Sequence, residues 1–360
     1  RGRGVFLPRR RKRTNIAIMG LGVVGGAVYD ALEKNAAIYK RLCGGIKVKY
    51  ILDKRDFSGS DFASRVVNDI NVILKDKSVK VVAETMGGDR PAFDFSLACI
   101  NAGKSVVTSN KLVVEKHGAE LERAARRNGV SYLYEASVGG GNPIIRTLRD
   151  TLAVNYVTEI NGILNGTTNY ILEKMETEGS SYETALKEAQ ALGYAERDPS
   201  ADIEGLDAAR KICILASCAF GGKYRMEDCA EIRGITNVTA KSVADAKAKG
   251  LKIKLVGTAK LTPDGATLCV RPCAVKQSNL LHSVSGVFNC ICVKGDLVGE
   301  TAYYGHGAGG SATASAVVSD IVEAASVRPL PRYASAKKAV CKQKKAAETV
   351  TLGGEEYELI

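Results

Sequence analysis

"NIAIMGLGVVGGAVYDALEKN" (15–35) is a strand, a glycine-rich turn and a helix in direct succession. Ile16, Ala17, Ile18 and Met19 make the short apolar run of a buried strand. Gly20-Leu21-Gly22-Val23-Val24-Gly25 is a G-x-G-x-x-G, and Val24, Ala27, Val28 and Leu32 follow at helical spacing. Gly20 permits a tight turn, Gly22 lets the backbone approach a pyrophosphate, and Gly25 lets the helix pack on the strand. The first helical amides have no partners within the helix, so an anion is favoured there. The stretch predicts a dinucleotide contact at Gly20, Gly22, Val23, Val24 and Gly25.

The chain continues in alternation. "KVKYILDKRDF" (47–57) is a second strand, and the charges at its end bear on cofactor choice. Asp53 is suited to a ribose 2′-hydroxyl, as in NAD enzymes; Arg55, after Lys54, is suited to the 2′-phosphate of NADP. The reading favours NADP through Arg55, with NAD as the alternative. "VKVVAETMGG" (79–88) is a strand, "AFDFSLACINAGK" (92–104) a helix ended by Gly103, and 105–129 a strand and a helix ended by Gly129. "VSYLYEASVGGGNP" (130–143) is expected to be one more strand. This order predicts an α/β fold with a parallel sheet. Ligands of such sheets bind beyond the carboxyl ends of the strands, which singles out Thr85, Ser109 and Lys111.

Beyond Pro143 the pattern changes. Residues 160–179 have a polar start and then a helix; 180–193 are a helix with Ser181 as N-cap and Gly193 after its end. "GYAERDPSADIEGLDAARK" (193–211) then concentrates charge at the mouth of an apolar helix bearing Leu206, Ala209, Ile212, Cys213 and Ala216. Asp207 and Lys211 are four apart and share a face. Alone they would be an ordinary surface ion pair. With Glu196 and Asp202 just upstream they suggest a polar site at the rim of a core, where a partly buried lysine with a lowered pKa suits proton transfer. From residue 251 three strand-like segments follow, with "PDG" (263–265) as a turn, and predict a mostly antiparallel sheet. Residues 305–325 are a glycine-rich turn leading into a helix, and 326–360 a linker and polar tail.

The 360 residues carry a net charge of +12, which suggests nucleic acid until it is located. Residues 1–13 hold seven basic residues and no acid, 325–360 seven basic and four acidic, and the body between keeps only +2. A nucleic-acid enzyme carries its basic stripe on the folded body, so a nucleic-acid partner is not expected. No apolar run is long enough to span a membrane. The ten cysteines show no C-x-x-C and no paired framework, which reads as reduced core thiols in a cytoplasmic compartment. The acid-free start also admits a plastid-type targeting remnant. Three histidines, none spaced with cysteine for a metal, argue against zinc.

Five blocks in order, "TSNK" (108–111), "YEASVGGGNPII" (134–145), "INGILNGTTNYIL" (160–172), 193–211 and "YYGHGAGG" (303–310), resemble the homoserine dehydrogenases. The likeness runs from about Asn15 to Ala325. It implies a Rossmann-type dinucleotide-binding domain plus an α+β catalytic and dimerisation domain with a mostly antiparallel sheet. The implied boundaries are a basic tail (1–13), a nucleotide domain (14–137), a substrate domain (138–305), a helix returning to the nucleotide domain (306–325) and a C-terminal tail (326–360). It implies NAD(P)-linked interconversion of L-homoserine and aspartate 4-semialdehyde, on the route to threonine, methionine and isoleucine, by a homodimer. Lys211 matches the family's proton donor and Lys111 the lysine between cofactor and substrate. Glu196, Asp202 and Asp207 match substrate-binding acids, and Ser109, Gly193 and Gly307 cofactor contacts. Glu135, Val138, Gly140 and Asn142 match positions that hold a monovalent cation, Na⁺ or K⁺, mostly through backbone carbonyls.

The sequence departs from the family at Asn142, where an aliphatic residue is usual, and at Ala312, where proline usually precedes Thr313. Some 35 residues follow the core, too few for the regulatory ACT domain of many members, so control by threonine through such a domain is not expected. The competing readings are another amino-acid or semialdehyde dehydrogenase, such as an aspartate dehydrogenase, and a non-catalytic dinucleotide sensor. The first would lack the Asp207/Lys211 helix; the second would need neither Lys111 nor Lys211.

Overall fold

The computed structural model describes residues 13–263, 265–326, 337–338 and 348–360. The basic start (1–12), Asp264 of the expected turn, Cys341 and most of the expected tail lie outside the described residues. The described chain forms two compact units: 13–110, 120–134 and 313–326 in the first, and 111–119, 135–312 and the residues from 337 onward in the second.

The first unit follows from the alternation in the sequence. Its elements are β1 (Thr14–Met19), α1 (Val23–Lys34), α2 (Ala36–Cys43), β2 (Ile46–Leu52), β3 (Val66–Val67), α3 (Ile70–Lys75), β4 (Val79–Glu84), α4 (Ala92–Asn101), β5 (Ser105–Thr108), α5 (Lys111–Asn128) and β6 (Tyr132–Leu133). Helix α5 begins among the residues of the second unit. The strands lie in the order β3-β2-β1-β4-β5-β6, all parallel. Strands buried on both faces must be apolar throughout: Ile16, Ala17, Ile18 and Met19 of β1 have no exposed surface, nor have Val81, Val82 and Ala83 of β4. Strand order reverses between β1 and β4, so their carboxyl ends frame a crevice.

The second unit is built on a larger sheet. Its elements are β7 (Val157–Ile163), α6 (Gly166–Glu178), α7 (Tyr182–Ala191), α8 (Ser200–Ile203), α9 (Leu206–Phe220), β8 (Gly222–Lys223), β9 (Glu231–Ile232), α10 (Ala240–Ala248), β10 (Leu251–Thr262), β11 (Gly265–Lys276), β12 (Phe288–Gly295) and β13 (Gly299–His306). There follow α11 (Gly310–Ser326), which ends among residues of the first unit, then β14 (Lys337–Lys338), β15 (Thr349–Leu352) and β16 (Glu355–Leu359). The sheet order is β13-β12-β7-β10-β11-β16-β15, with β9 beside β11; β8 and β14 pair separately. The long pairs β10/β11, β10/β7, β12/β7 and β12/β13 are antiparallel, as expected.

Three sequence readings need correction. The strand expected over 130–143 is only β6, followed by a tight 3-10 turn at Glu135–Ser137. Three glycines and a proline leave no alternating pattern to sustain a strand there. The polar start expected at residue 160 belongs to β7, a central strand between β12 and β10. Its Asn161 and Gly162 interrupt the apolar run, although Val157, Ile160 and Ile163 are buried, with Ile160 on the opposite face from the other two. The end of the expected tail is a hairpin, β15–β16, joined to β11. Gly353 and Gly354 have φ of +60° and +90°, the geometry a two-residue hairpin turn requires, and Leu352 and Tyr357 are buried under it.

Candidate active site

Helix α9 supplies the centre of the charged site. Gly205, at φ +82°, turns the chain into it. Asp207 stands in the first turn, where the helix dipole favours an acid. Lys211 follows one turn later on the same face, and Ala208, Ala209, Ile212 and Cys213 pack the rest of the helix into the core. Asp207 and Lys211 are therefore carried inside with the helix, at 3% and 6% exposure.

A buried ion pair is tolerated only if both partners are satisfied. The Lys211 Nζ donates to Asp207 Oδ2 at 2.7 Å and to the Leu164 carbonyl at 2.6 Å. Asp207 Oδ1 pairs with Lys111, at the N-terminus of α5. Asn165 donates from Nδ2 to Asp202 Oδ1 (2.7 Å) and to Asp207 Oδ2 (3.0 Å). Its own Oδ1 accepts the Thr168 N–H and caps α6. One carboxylate thus holds two ammonium groups, and one amide bridges two acids.

The electrostatics follow from burial. Asp207 is pushed up by burial, but Lys211 and Lys111 outweigh this and hold it well below the usual carboxylate range. Burial lowers Lys211, with Asp207 opposing and Lys111 adding to the fall. Asp202 is raised, first by burial and then by Asp207. The Lys211 ammonium has three N–H bonds and engages two of them, with Asp207 and the Leu164 carbonyl.

The structure brings together Lys111, Asp202, Asp207 and Lys211 as the sequence predicts, and it leaves Glu196 out. Glu196 is exposed in the turn after α7, where its backbone carbonyl accepts from Gln190. Asn165 and the Leu164 carbonyl were missed. The signal was available: "LNGTT" is a polar N-cap opening a helix, and an asparagine there has a second end to offer. Gly193 follows α7 with φ +75°, the close expected of it.

In the first unit the glycine-rich turn is as anticipated. A Cβ at Gly25 would fall 2.0 Å from the Gly20 carbonyl oxygen, and one at Gly20 would fall 2.8 Å from Met86 Cγ. A Cβ at Gly22 would meet nothing within 4 Å. Gly22 opens α1 without a side-chain cap, and Val23 beside it is 80% exposed. Space, bare backbone and an uncapped helix start fit a dinucleotide pyrophosphate. The Thr85 hydroxyl donates to the Gly20 carbonyl at 2.7 Å, so it holds the turn. Ser109 follows β5 and donates its N–H to the Glu84 carbonyl.

Asp53 and Arg55 form one structure rather than two alternatives. Asp53 Oδ2 accepts the Leu21 N–H (2.8 Å) and Arg55 Nη2 (2.8 Å); Oδ1 accepts the Arg55 N–H and Nε, each at 3.0 Å. The Arg55 guanidinium beside it holds Asp53 far below the usual carboxylate range. The aspartate side chain is 10% exposed and the arginine 58%.

Glu135 accepts the Ile145 and Arg146 N–H groups on its two oxygens, at 2.9 and 2.7 Å. Its carboxylate therefore caps the next helical turn. The loop after Val138 is glycine-driven: Gly139 and Gly140 have φ of +76° and +53°, and a Cβ at Gly140 would fall 2.7 Å from the Gly307 carbonyl oxygen. Gly307 is forced by packing, since its Cβ would lie 2.0 Å from the Asn289 amide. Asn142 is buried, with its amide nitrogen lacking a hydrogen-bond partner. Among the described residues no group of three or more His, Cys, Asp or Glu converges as a metal site, and no helix is long and apolar enough to cross a membrane.

Comparison with known proteins identifies the family. The family model for homoserine dehydrogenase matches residues 143–322, and that for the homoserine dehydrogenase NAD-binding domain matches 20–135. The homoserine dehydrogenase of Helicobacter pylori is 43% identical over 88% of this chain and 74% of its own. The crystal structure of a homoserine dehydrogenase from Thiobacillus denitrificans matches with a TM-score of 0.83 at 39% identity, over 88% of this chain and 74% of that one. A hyperthermophilic archaeal homoserine dehydrogenase, solved in complex with NADPH, matches with a TM-score of 0.73 at 28% identity, over 87% of this chain and 98% of its own. The chain belongs to the homoserine dehydrogenase family, a family of NAD(P)-dependent oxidoreductases.

Proposed function

We propose that Lys211 moves the proton in the NAD(P)-dependent interconversion of L-homoserine and aspartate 4-semialdehyde. The observation that carries this is a nearly buried lysine, fixed by Asp207 and the Leu164 carbonyl. When bound, the nicotinamide cofactor supplies or accepts the hydride. The chain's own residues do the rest. Lys211 donates a proton to the alkoxide oxygen as the aldehyde is reduced, and takes it back in the reverse direction. Lys111, also held by Asp207, stabilises the same oxygen by its charge. Asp202, oriented by Asn165, receives the substrate ammonium. Glu196, exposed in the turn beyond α7 and bonded to none of these groups, stays in this reading as a substrate-binding acid that would meet the ligand from the solvent side.

Gly20, Gly22, Val23, Val24 and Gly25 would hold the dinucleotide, and by their match to the family Thr85, Ser109, Gly193 and Gly307 are the further cofactor residues of this reading. NADP is favoured over NAD, because both Asp53 oxygens are engaged while Arg55 keeps an exposed guanidinium. A monovalent cation would be held by Glu135, Val138, Gly140 and Asn142, mostly through backbone carbonyls, a reading supported by the Glu135 carboxylate being engaged by N–H groups. Exposed Val154, Tyr156, Leu297 and Tyr304 support a homodimer, for which analytical ultracentrifugation is the test. The nine free cysteines of the described residues suit the reducing cytoplasm.

The deciding experiment follows absorbance at 340 nm with L-homoserine and NADP or NAD, with K⁺ or Na⁺ supplied, for the native chain and Lys211→Ala. Loss of general acid–base catalysis is expected to lower kcat by about 10²- to 10⁴-fold. A folded Lys211→Ala protein with native kcat would overturn the assignment.

A further inference from the structure

Helix α9 carries, two residues after Lys211, a buried cysteine that the reaction does not use. Cys213 has no exposed surface, and its Sγ lies 3.7 Å from the Sγ of Cys229. Cys229 is half-buried and follows the short turn Met226–Asp228. Both are free thiols.

The segment around Cys229 is a strap between the two helices that hold the lysines. On one side Tyr224 donates its N–H to Ser217 Oγ (3.0 Å), which in turn donates to the Cys213 carbonyl (2.8 Å), both on α9. On the other, the Met226 N–H reaches Glu115 Oε1 (3.3 Å) and Arg225 Nη2 reaches the Lys116 carbonyl (3.3 Å), both near the start of α5. Glu115 is one turn from Lys111, as Cys213 is half a turn from Lys211. The Cys229 side chain meets α9 through its sulfur, at Cys213.

We propose that Cys213 and Cys229 are a thiol–disulfide exchange site, and that closing the disulfide lowers turnover by shifting α9 against α5. This rests on the catalytic reading of Lys211 and Lys111. The oxidant is a low-molecular-weight disulfide. The Cys229 thiolate, being the reachable one, attacks it; one small thiolate leaves and a mixed disulfide forms. Cys213, deprotonated, then attacks the Cys229 sulfur, a protein disulfide forms and the second small thiolate leaves. Two thiols lose two protons and two electrons, and one small disulfide becomes two thiols. The contact with Cys229 and then burial hold the Cys213 thiol far above its ordinary range, with the Glu115 and Asp228 charges adding to this. An S–S bond is about 2.05 Å long against 3.7 Å between the two thiols, so closure is taken up by side-chain rotation together with a shift of the strap against α9. A shift of about 1 Å passed along α9 to Lys211 costs about 10²-fold in rate.

The test uses the full chain in buffers poised from reduced to oxidised glutathione, quenched in acid, alkylated and mapped by mass spectrometry without reduction. The expected result is one peptide pair joining Cys213 to Cys229, lighter by two hydrogens and released by dithiothreitol, with turnover falling about tenfold or more in step. Cys229→Ser, at the half-buried position, is expected to keep full turnover in oxidising buffer, and Cys269→Ser to keep the switch. Separately alkylated Cys213 and Cys229 across the whole series would overturn the proposal. So would a Cys229–Cys269 link in their place, a 213–229 link with unchanged turnover, or equal inactivation of the Cys229→Ser protein. The peptide map reads the link whether or not the reduced protein turns over homoserine, so failure of the catalytic reading shows separately.

Discussion

Replacing Glu84 by glutamine is expected to make the protein more stable at alkaline pH and to leave it nearly unchanged in acid. Glu84 ends β4 with no exposed surface. Its Oε2 accepts the Thr108 hydroxyl at 2.5 Å and its Oε1 the Met86 N–H at 2.8 Å. Burial pushes its carboxyl up to about 7 from the ordinary 4.5, against the hydrogen bonds from Thr108, Met86 and Asn110 that favour the charged form. A carboxyl raised in the folded state favours folding while it is protonated. That contribution is fully present below the unfolded value and is lost as pH rises through the folded one. The difference of some 2.5 units corresponds to about 3 kcal/mol lost between roughly pH 4.5 and pH 8. Glutamine has the same shape, accepts from Met86 and cannot ionise. The measurement is a pair of urea titrations followed by far-ultraviolet circular dichroism, native against Glu84→Gln, at about pH 5 and about pH 8. All other titrating groups are common to both proteins and cancel. A variant that gains about 2 to 4 kcal/mol relative to the native chain on going from acid to alkaline pH supports the reasoning. A difference that stays constant within about 1 kcal/mol means that Glu84 ionises in the folded protein as it does in water, and refutes it.

Three further outcomes follow from the geometry. Arg55→Ala removes a charge-assisted contact to a 2′-phosphate, so KM for NADP should rise roughly 10- to 100-fold while KM for NAD moves little; equal changes for both cofactors would show that Arg55 serves only Asp53. Asp207→Asn removes the anion that keeps Lys211 charged, so the rise of homoserine oxidation with pH should move about 1 to 3 units toward acid, with lower kcat; an unmoved pH profile would place the titrating group elsewhere. Tyr357→Ala opens a cavity under the C-terminal hairpin and removes the hydroxyl that donates to Ser242 Oγ at 3.0 Å, and should cost about 3 kcal/mol in a urea titration of the whole chain; an unchanged midpoint would mean that the hairpin adds nothing to the core.

How far the sequence reaches depends on whether a residue's role is local. Gly20, Gly22 and Gly25 act within one turn, and their spacing alone predicted the strand, the turn and the uncapped helix start that the structure contains. The Asp207–Lys211 pair was equally legible, because four residues along a helix is a fixed distance. The choice between Asp53 and Arg55 was not, because a pattern of charges cannot say that two of them will bond to each other and to the Leu21 N–H. Asn165 escaped for a related reason: its cap is local, but its value to the site lies in bonds to Asp202 and Asp207, 37 and 42 residues on. The hairpin at the C-terminus is the opposite case. "TVTLGGEEYEL" (349–359) carries an alternating pattern about a double glycine, and only the basic residues before it made the whole segment look like a solvated tail. Glu84 was passed over because it stands at the end of an apolar strand, where an acid is ordinarily taken for a solvated terminus. In this fold that strand end is buried between β1 and β5, so the same carboxyl becomes a proton-binding group near neutrality. Composition and period report which face of an element is buried; they do not report which end is.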